Sequence, residues 1–170
     1  MILVSTGMKK KLLSFGIVAV VLGSIYSCYS FKGIAIDPEI RTYYVEQFVD
    51  NSGGGVPVLA INFTEKLKDK IRNESRLVYS EVDPDITFSG SISRFDPVTS
   101  LTGANNQLHI GVKVLLEKTK GEDLEDKSFN ESFFSEFPPD VNFLDVREDL
   151  IEEITDQLVI DIFNKAFTNW

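Results

Sequence analysis

The sequence has little of what most catalytic and metal sites are built from. It contains one cysteine and one histidine, so no intrachain disulfide can form and the cysteine and histidine clusters of zinc sites are missing. The glycine run at residues 53–55 is not followed by the Lys-Ser or Lys-Thr pair of a phosphate-binding loop. We therefore expect no metal, no cofactor and no enzymatic activity.

Basic residues are also scarce. The chain has 17 Lys and Arg against 26 Asp and Glu, which gives a formal net charge of −9. Nucleic-acid-binding domains are usually basic, and adsorption to an anionic lipid surface needs clustered Lys and Arg. The charge balance thus excludes nucleic acid as a partner and argues against membrane attachment through a basic patch.

The first thirty residues have the pattern of a secretion signal. Met8 precedes three lysines, residues 12–25 carry no charge, and Ser27 precedes Cys28. The uncharged run is shorter than the roughly 20 residues that span a bilayer, and a small residue before the cleavage point is typical of a cleaved signal. Because a basic stretch normally opens such a signal, Met8 is an alternative start to Met1.

The only cysteine gives this signal a more specific interpretation. Residues 25–28 resemble the lipobox of bacterial lipoproteins, in which the cysteine is acylated before cleavage. We predict that residues 1–27 are removed and that residues 28–170 form one domain, anchored by a lipid on Cys28. A plain signal peptide cleaved elsewhere is the alternative. Loss of three lysines and no acid takes the net charge from −9 to −12.

Two segments have the spacing of amphipathic helices. Apolar side chains recur every three to four positions in residues 57–74, and they form a broader stripe in residues 144–167. Asp145, with Glu148 three residues later, fits a capping box that would begin the second helix.

Five segments are typical of strands, and apolar and polar residues alternate in the longer ones. They are residues 41–48, 77–79, 86–93, 108–116 and 127–137. We predict an exposed loop at residues 96–107 and a charged turn at residues 118–126. The sequence thus predicts an α+β domain, with two amphipathic helices packed on one face of a mixed, mainly antiparallel sheet of four to five strands.

Several segments in the same order resemble the LptE family of lipopolysaccharide-assembly lipoproteins. They are residues 28–33, 67–70, 88–92, 149–154, 157–159 and 161–166. The resemblance implies two helices on a four-stranded sheet, placed as a plug in the lumen of a large outer-membrane β-barrel, LptD. In that family the lipoprotein helps the barrel to assemble, and the pair inserts lipopolysaccharide into the outer leaflet. Residue 29 is Tyr rather than Asp, so by resemblance to lipoprotein sorting rules we expect an outer-membrane anchor.

The resemblance also implies contact between basic residues and lipopolysaccharide, whose phosphates call for Lys or Arg. The predicted loop at 96–107 contains neither. The ligand-binding candidates are therefore Arg94, Lys113, Lys66 and Lys70. A solvated helix face is the alternative interpretation of the last two. Barrel lumens are polar, so polar strand positions are candidates for contact with the wall. These are Ser89, Ser91 and Ser93.

Two other functions stay open at this stage. A periplasmic, lipid-anchored module for a small hydrophobic or envelope ligand would need an apolar pocket of roughly 300–1,000 Å3. A tethered hydrolase would need His109 to converge with a nucleophile in a cleft, although the sequence has no nucleophile-elbow motif.

Overall fold

The computed structural model describes residues 36–54, 56, 58–102, 104–121 and 124–167. The predicted signal peptide and Cys28 lie outside these residues. In the described part, two strands precede the first helix and four more strands precede the second, and the predicted α+β class is confirmed, with six strands rather than four to five. The elements are β1 (Thr42–Val45), β2 (Val49–Asp50), α1 (Leu59–Glu74), β3 (Val78–Tyr79), β4 (Ile86–Val98), β5 (Asn106–Lys118), β6 (Lys127–Phe137) and α2 (Phe143–Phe167).

The sheet is mixed, with the order β3-β1-β4-β5-β6, and β2 pairs with β4 beside β1. The long strands β4, β5 and β6 are antiparallel, whereas the short strands β1 and β2 run parallel to β4. The strand predicted at 41–48 is shorter in the structure, where β1 ends at Val45 and β2 begins only after Phe48, which lies outside the ladder. Its N–H donates to Oγ1 of Thr64 at 3.0 Å, and its side chain is buried.

Both helices pack on one face of the sheet, as predicted. Alternate residues of β5, including Ile110, Val112 and Val114, are buried beneath them. The apolar stripes of α1 and α2 are buried as well, with Leu67 and Ile154 fully inaccessible. Each large apolar side chain removed from water contributes roughly 1.5–3 kcal/mol, so this shared core is the main stabilising feature of the fold.

The two helices lie side by side and run in the same direction. Lys66 of α1 forms an ion pair with Asp156 of α2, and one turn later Lys70 lies 5.6 Å from the ring centroid of Phe163. Neither described helix combines the length and apolar character needed to cross a bilayer.

A β-bulge in β4 changes one sequence-based boundary. The register between β4 and β5 shifts between Ile92 and Arg94, so Ser93 is an extra residue and Phe95 returns to the core opposite Ile110. Pairing then continues as far as Val98. The prediction of a loop over 96–107 was therefore wrong at both ends, because only residues 99–105 connect β4 to β5.

The start of α2 also differs from the prediction. The helix begins at Phe143, and Oδ1 of Asn142 accepts the N–H of Leu144 at 3.0 Å. Asp145 therefore lies inside the first turn, and Glu148 forms an ion pair with Arg147. The capping-box assignment was wrong, because the cap comes from a residue three positions earlier.

Candidate functional site

The sheet face opposite the helices is left open by the described residues. The pleat places alternate side chains of β4, β5 and β6 on it. Most of them are small or polar, so the surface is shallow and hydrophilic. We call this surface the open sheet face. Its central residues are Ser89, Ser91, Ser93, Arg94, His109, Gly111, Lys113, Leu115, Ser128, Asn130, Ser132 and Phe134.

Lys113 lies at the centre of the open sheet face. It is exposed, and it sits directly across from Ser91 on β4 and Asn130 on β6. Within the described part of the chain, no acidic side chain lies at ion-pair distance from its ammonium group. Its two cross-strand neighbours are neutral and no described acid pairs with it, so Lys113 is available to an anionic group.

The other three basic candidates have acidic neighbours. On the open sheet face, the Arg94 guanidinium lies 2.9 Å from Oδ2 of Asp96. The remaining two lie in the helical layer, where Lys66 pairs with Asp156, and Nζ of Lys70 lies 2.7 Å from Glu74. The structure thus brings Arg94 and Lys113 to the same face and places Lys66 and Lys70 on the other side of the sheet.

The three candidate serines share the open sheet face. Ser89 and Ser91 occupy successive outward positions of β4, and Ser93 is the extra residue of the bulge. Ser93 and Arg94 lie together over Gly111, where an added Cβ would be 3.3 Å from Oγ of Ser93 and 3.2 Å from Cβ of Arg94. The serines therefore form a row of hydroxyls that another polar surface can approach closely.

His109 also lies on the open sheet face, but its neighbours are not those of a catalytic histidine. Its Nε2 lies 3.0 Å from Oε1 of Gln107, and its ring stacks on Phe134 with centroids 5.2 Å apart. Asp96 is opposite in the ladder but is paired with Arg94. In the ranges that the structure covers, acidic, histidine and cysteine side chains form no group of three that could hold a metal.

A groove of about 270 Å3 runs between the two helices. Leu59 and Ile151 contribute apolar surface to it, but Lys66, Glu148 and Glu152 line it too. Pockets for drug-sized ligands are mostly apolar and usually enclose 300–1,000 Å3. This groove is therefore smaller and more charged than the pocket that the ligand-carrier hypothesis requires.

Sequence reasoning missed the buried carboxylate of Asp85. Its Oδ2 accepts the N–H groups of Arg41 at 2.8 Å and Thr42 at 3.0 Å. The Lys120 ammonium lies 2.7 Å from Oδ1, as an ion pair without hydrogen-bond geometry. Burial raises the pKa of Asp85, but Lys120 and the two amides lower it more, to about 2. Asp85 thus connects the start of β1 to the turn after β5. The sequence of residues 83–85 alone did not indicate this connection.

These features define a class of protein: a small α+β domain with a helical layer on one side and an open, polar sheet face on the other. The sequence itself matches the family model described as LptE, lipopolysaccharide-assembly, over residues 40–166. The chain therefore belongs to the LptE family of lipopolysaccharide-assembly proteins. No curated protein sequence matches the chain.

Solved structures resemble the chain in fold at low sequence identity. Protein XCC0632 from Xanthomonas campestris has a TM-score of 0.57 at 8% identity, covering 79% of this chain and 88% of that one. A minor lipoprotein from Acinetobacter baumannii has a TM-score of 0.47 at 13% identity, covering 76% and 94%. Lipoprotein GNA1162 from Neisseria meningitidis has a TM-score of 0.44 at 8% identity, covering 73% and 99%. The first similarity shows a shared fold and nothing more, and the TM-scores of the other two are too low to support an inference.

Proposed function

We propose that this protein is a non-enzymatic outer-membrane lipoprotein that plugs an LptD-like β-barrel and helps it to assemble for lipopolysaccharide insertion. Membership of the LptE family indicates that the protein takes part in lipopolysaccharide assembly. The open sheet face is the observation that carries the plug role. A polar lumen wall can be matched by hydroxyls such as those of Ser89, Ser91 and Ser93, and their small size permits close contact.

The lipid on Cys28 would hold the protein at the outer membrane, facing the periplasm or within the barrel lumen. A chain of charge −9 has little electrostatic attraction to an anionic bilayer, so a covalent lipid is the reasonable source of membrane affinity. Each methylene that enters the bilayer contributes about 0.8 kcal/mol, and two acyl chains give stable anchoring.

Within this role, Lys113 is the proposed contact for lipopolysaccharide phosphates. It is the one basic candidate without an acidic neighbour in the described residues, and Ser91 and Asn130 beside it can add hydrogen bonds. Arg94 could assist only by exchanging its ion pair with Asp96. The acid-paired Lys66 and Lys70 are better assigned to the stability and solubility of the helical layer.

The plug role can be tested by affinity purification of the tagged protein from detergent-solubilised outer membranes. We expect a large β-barrel protein to be recovered in stoichiometric amount. Ser91→Arg should reduce that recovery, because it puts a long charged side chain at the centre of the open sheet face. Asn73→Arg, at an exposed position of α1, is the matched control and should not. Recovery of the unaltered protein alone, or with a small lipid and no barrel, would favour the binding-module hypothesis instead.

A further inference from the structure

The two edges of the sheet are very different. At one edge, β3 has two residues and β1 has four. At the other, β6 has eleven residues without proline, and it pairs with β5 in unbroken register from Lys127 to Phe137. Among the described residues, no strand pairs with the outer side of β6. A long, regular free edge is uncommon in natural sheets, which usually shorten, bend or cover such strands.

One side of α2 runs above this free edge. Residues four positions apart lie on one side of a helix, which groups Glu153, Gln157, Asp161 and Lys165. Two contacts show that this side faces β6. The Ser135 hydroxyl donates to Glu153 at 2.7 Å, and Lys165 pairs with Glu131. Since Lys165 is already neutralised by Glu131, Glu153 and Asp161 make this side of α2 net acidic.

The two faces of β6 present different chemistry to a strand that would pair with it. On the helical side, the rings of Phe129 and Phe133 are only partly buried. On the other side, Ser128, Asn130 and Ser132 are small, polar and exposed, and the exposed Phe134 and Glu136 continue the same row towards the end of the strand. Over residues 127–133, an added strand would therefore meet aromatic rings and carboxylates with one set of alternate side chains and small polar groups with the other.

A second copy of this chain is a poor occupant of the edge. Antiparallel pairing of two β6 strands about a two-fold axis would place both α2 helices on the same side of one continuous sheet. Each α2 carries seven acidic and two basic residues. Two such helices as neighbours would repel each other, whereas a segment with Lys or Arg would be attracted.

We infer that the edge of β6, with the acidic side of α2 above it, binds an extended segment of a partner polypeptide that contains Lys or Arg, as an added strand. Backbone hydrogen bonds would supply the affinity, and the alternating side chains would supply the specificity. The assignment of that segment to the barrel protein rests on the proposed function. The inference that the β6 edge binds an added strand does not depend on the proposed function.

The test uses the full-length protein in its own cells, with a photo-cross-linking amino acid in place of Ser132. We expect a cross-link to a partner segment that contains Lys or Arg, with mapped residues in an extended conformation. If the captured protein is not a β-barrel, the inference holds and the proposed function fails. A cross-link to a second copy would overturn the inference. So would the absence of a cross-link at this position when the same group at Ser91 captures the barrel.

Two further measurements separate strand addition from simple proximity. In the purified complex, hydrogen exchange should slow by about 100-fold or more at alternate amides of residues 127–137, and it should not change in the central strand β4. Asp161→Lys should lower the cross-linking yield at Ser132 at least about threefold, because it reverses a charge above the edge. Glu152→Lys, on the side of α2 that faces α1, is the matched control. Unchanged exchange in β6, or equal effects of the two substitutions, would refute the inference.

Discussion

The ammonium group of Lys120 lies 2.7 Å from a carboxylate oxygen of Asp85, whose side chain is only 3% exposed. The same carboxylate accepts the backbone N–H groups of Arg41 and Thr42. Burial raises the pKa of Asp85 and these partners lower it, so that it falls from 3.8 to about 2. A pKa that is lower in the folded than in the unfolded state means that the ionised form stabilises the fold.

Asp85→Asn should therefore lower the free energy of unfolding by about 2 kcal/mol near neutral pH. The contribution of the ionised group is fully present above the unfolded pKa of 3.8 and is lost as the pH falls towards 2. The difference between the two proteins should shrink over that range. Urea denaturation at a series of pH values measures it, with the exposed Asp140→Asn as control. A difference that does not vary with pH would contradict this account.

Thr64→Val should destabilise the protein by about 1–3 kcal/mol, because it leaves a buried donor unsatisfied. The Thr64 hydroxyl accepts the N–H of Phe48 and a side-chain N–H of Gln47, both at 3.0 Å. Thr155→Val is the matched control. The Thr155 hydroxyl is equally buried but donates to carbonyls of its own helix, so its loss should cost clearly less. Equal destabilisation in thermal unfolding would argue against a special role for Thr64.

Gly90→Ala should destabilise the sheet by about 1–3 kcal/mol through overpacking. An added Cβ would lie 2.1 Å from the carbonyl oxygen of Lys113 and 2.6 Å from Cε1 of Phe48. Backbone on the neighbouring strand cannot move aside as a flexible side chain can. Gly111→Ala meets its nearest atoms only at 3.2 Å and should cost less. Chemical denaturation of the two variants gives the comparison, and the opposite order would show that β4 and β5 can separate at Gly90.

Lys113→Ala should weaken binding of purified lipopolysaccharide about tenfold, which corresponds to the loss of one charge-assisted hydrogen bond. Lys113→Arg should keep most of the affinity. Lys70→Ala should have little effect, because that ammonium lies on the helical layer beside Glu74. Titration at fixed ionic strength compares the three variants. Similar losses for Lys113 and Lys70 would indicate general charge attraction rather than a contact on the open sheet face.

Local pattern was enough to predict both helices, most of the long strands and the charged turn after β5, except that Lys118 ends β5 and is buried. Period-two alternation, for instance, predicted the buried row of β5 from Leu108 to Leu116. The resemblance to the LptE family, carried by several short segments in order, is confirmed by the match over residues 40–166. The bounds of the loop after β4 were not predictable, because the bulge at Ser93 breaks the alternation that defines a strand in sequence.

By itself, then, the sequence determined the α+β class, the two amphipathic stripes and the excess of acidic residues, because each depends on residue type and spacing along the chain. The tertiary structure decided which charges are neutralised and which surfaces are left open. Lys66 and Asp156 are 90 residues apart, and Arg41 and Asp85 are 44 apart. Partners at such separations are joined only when the sheet and helices pack. Among the described residues, the same packing leaves Lys113 without an acidic neighbour and β6 with a free edge.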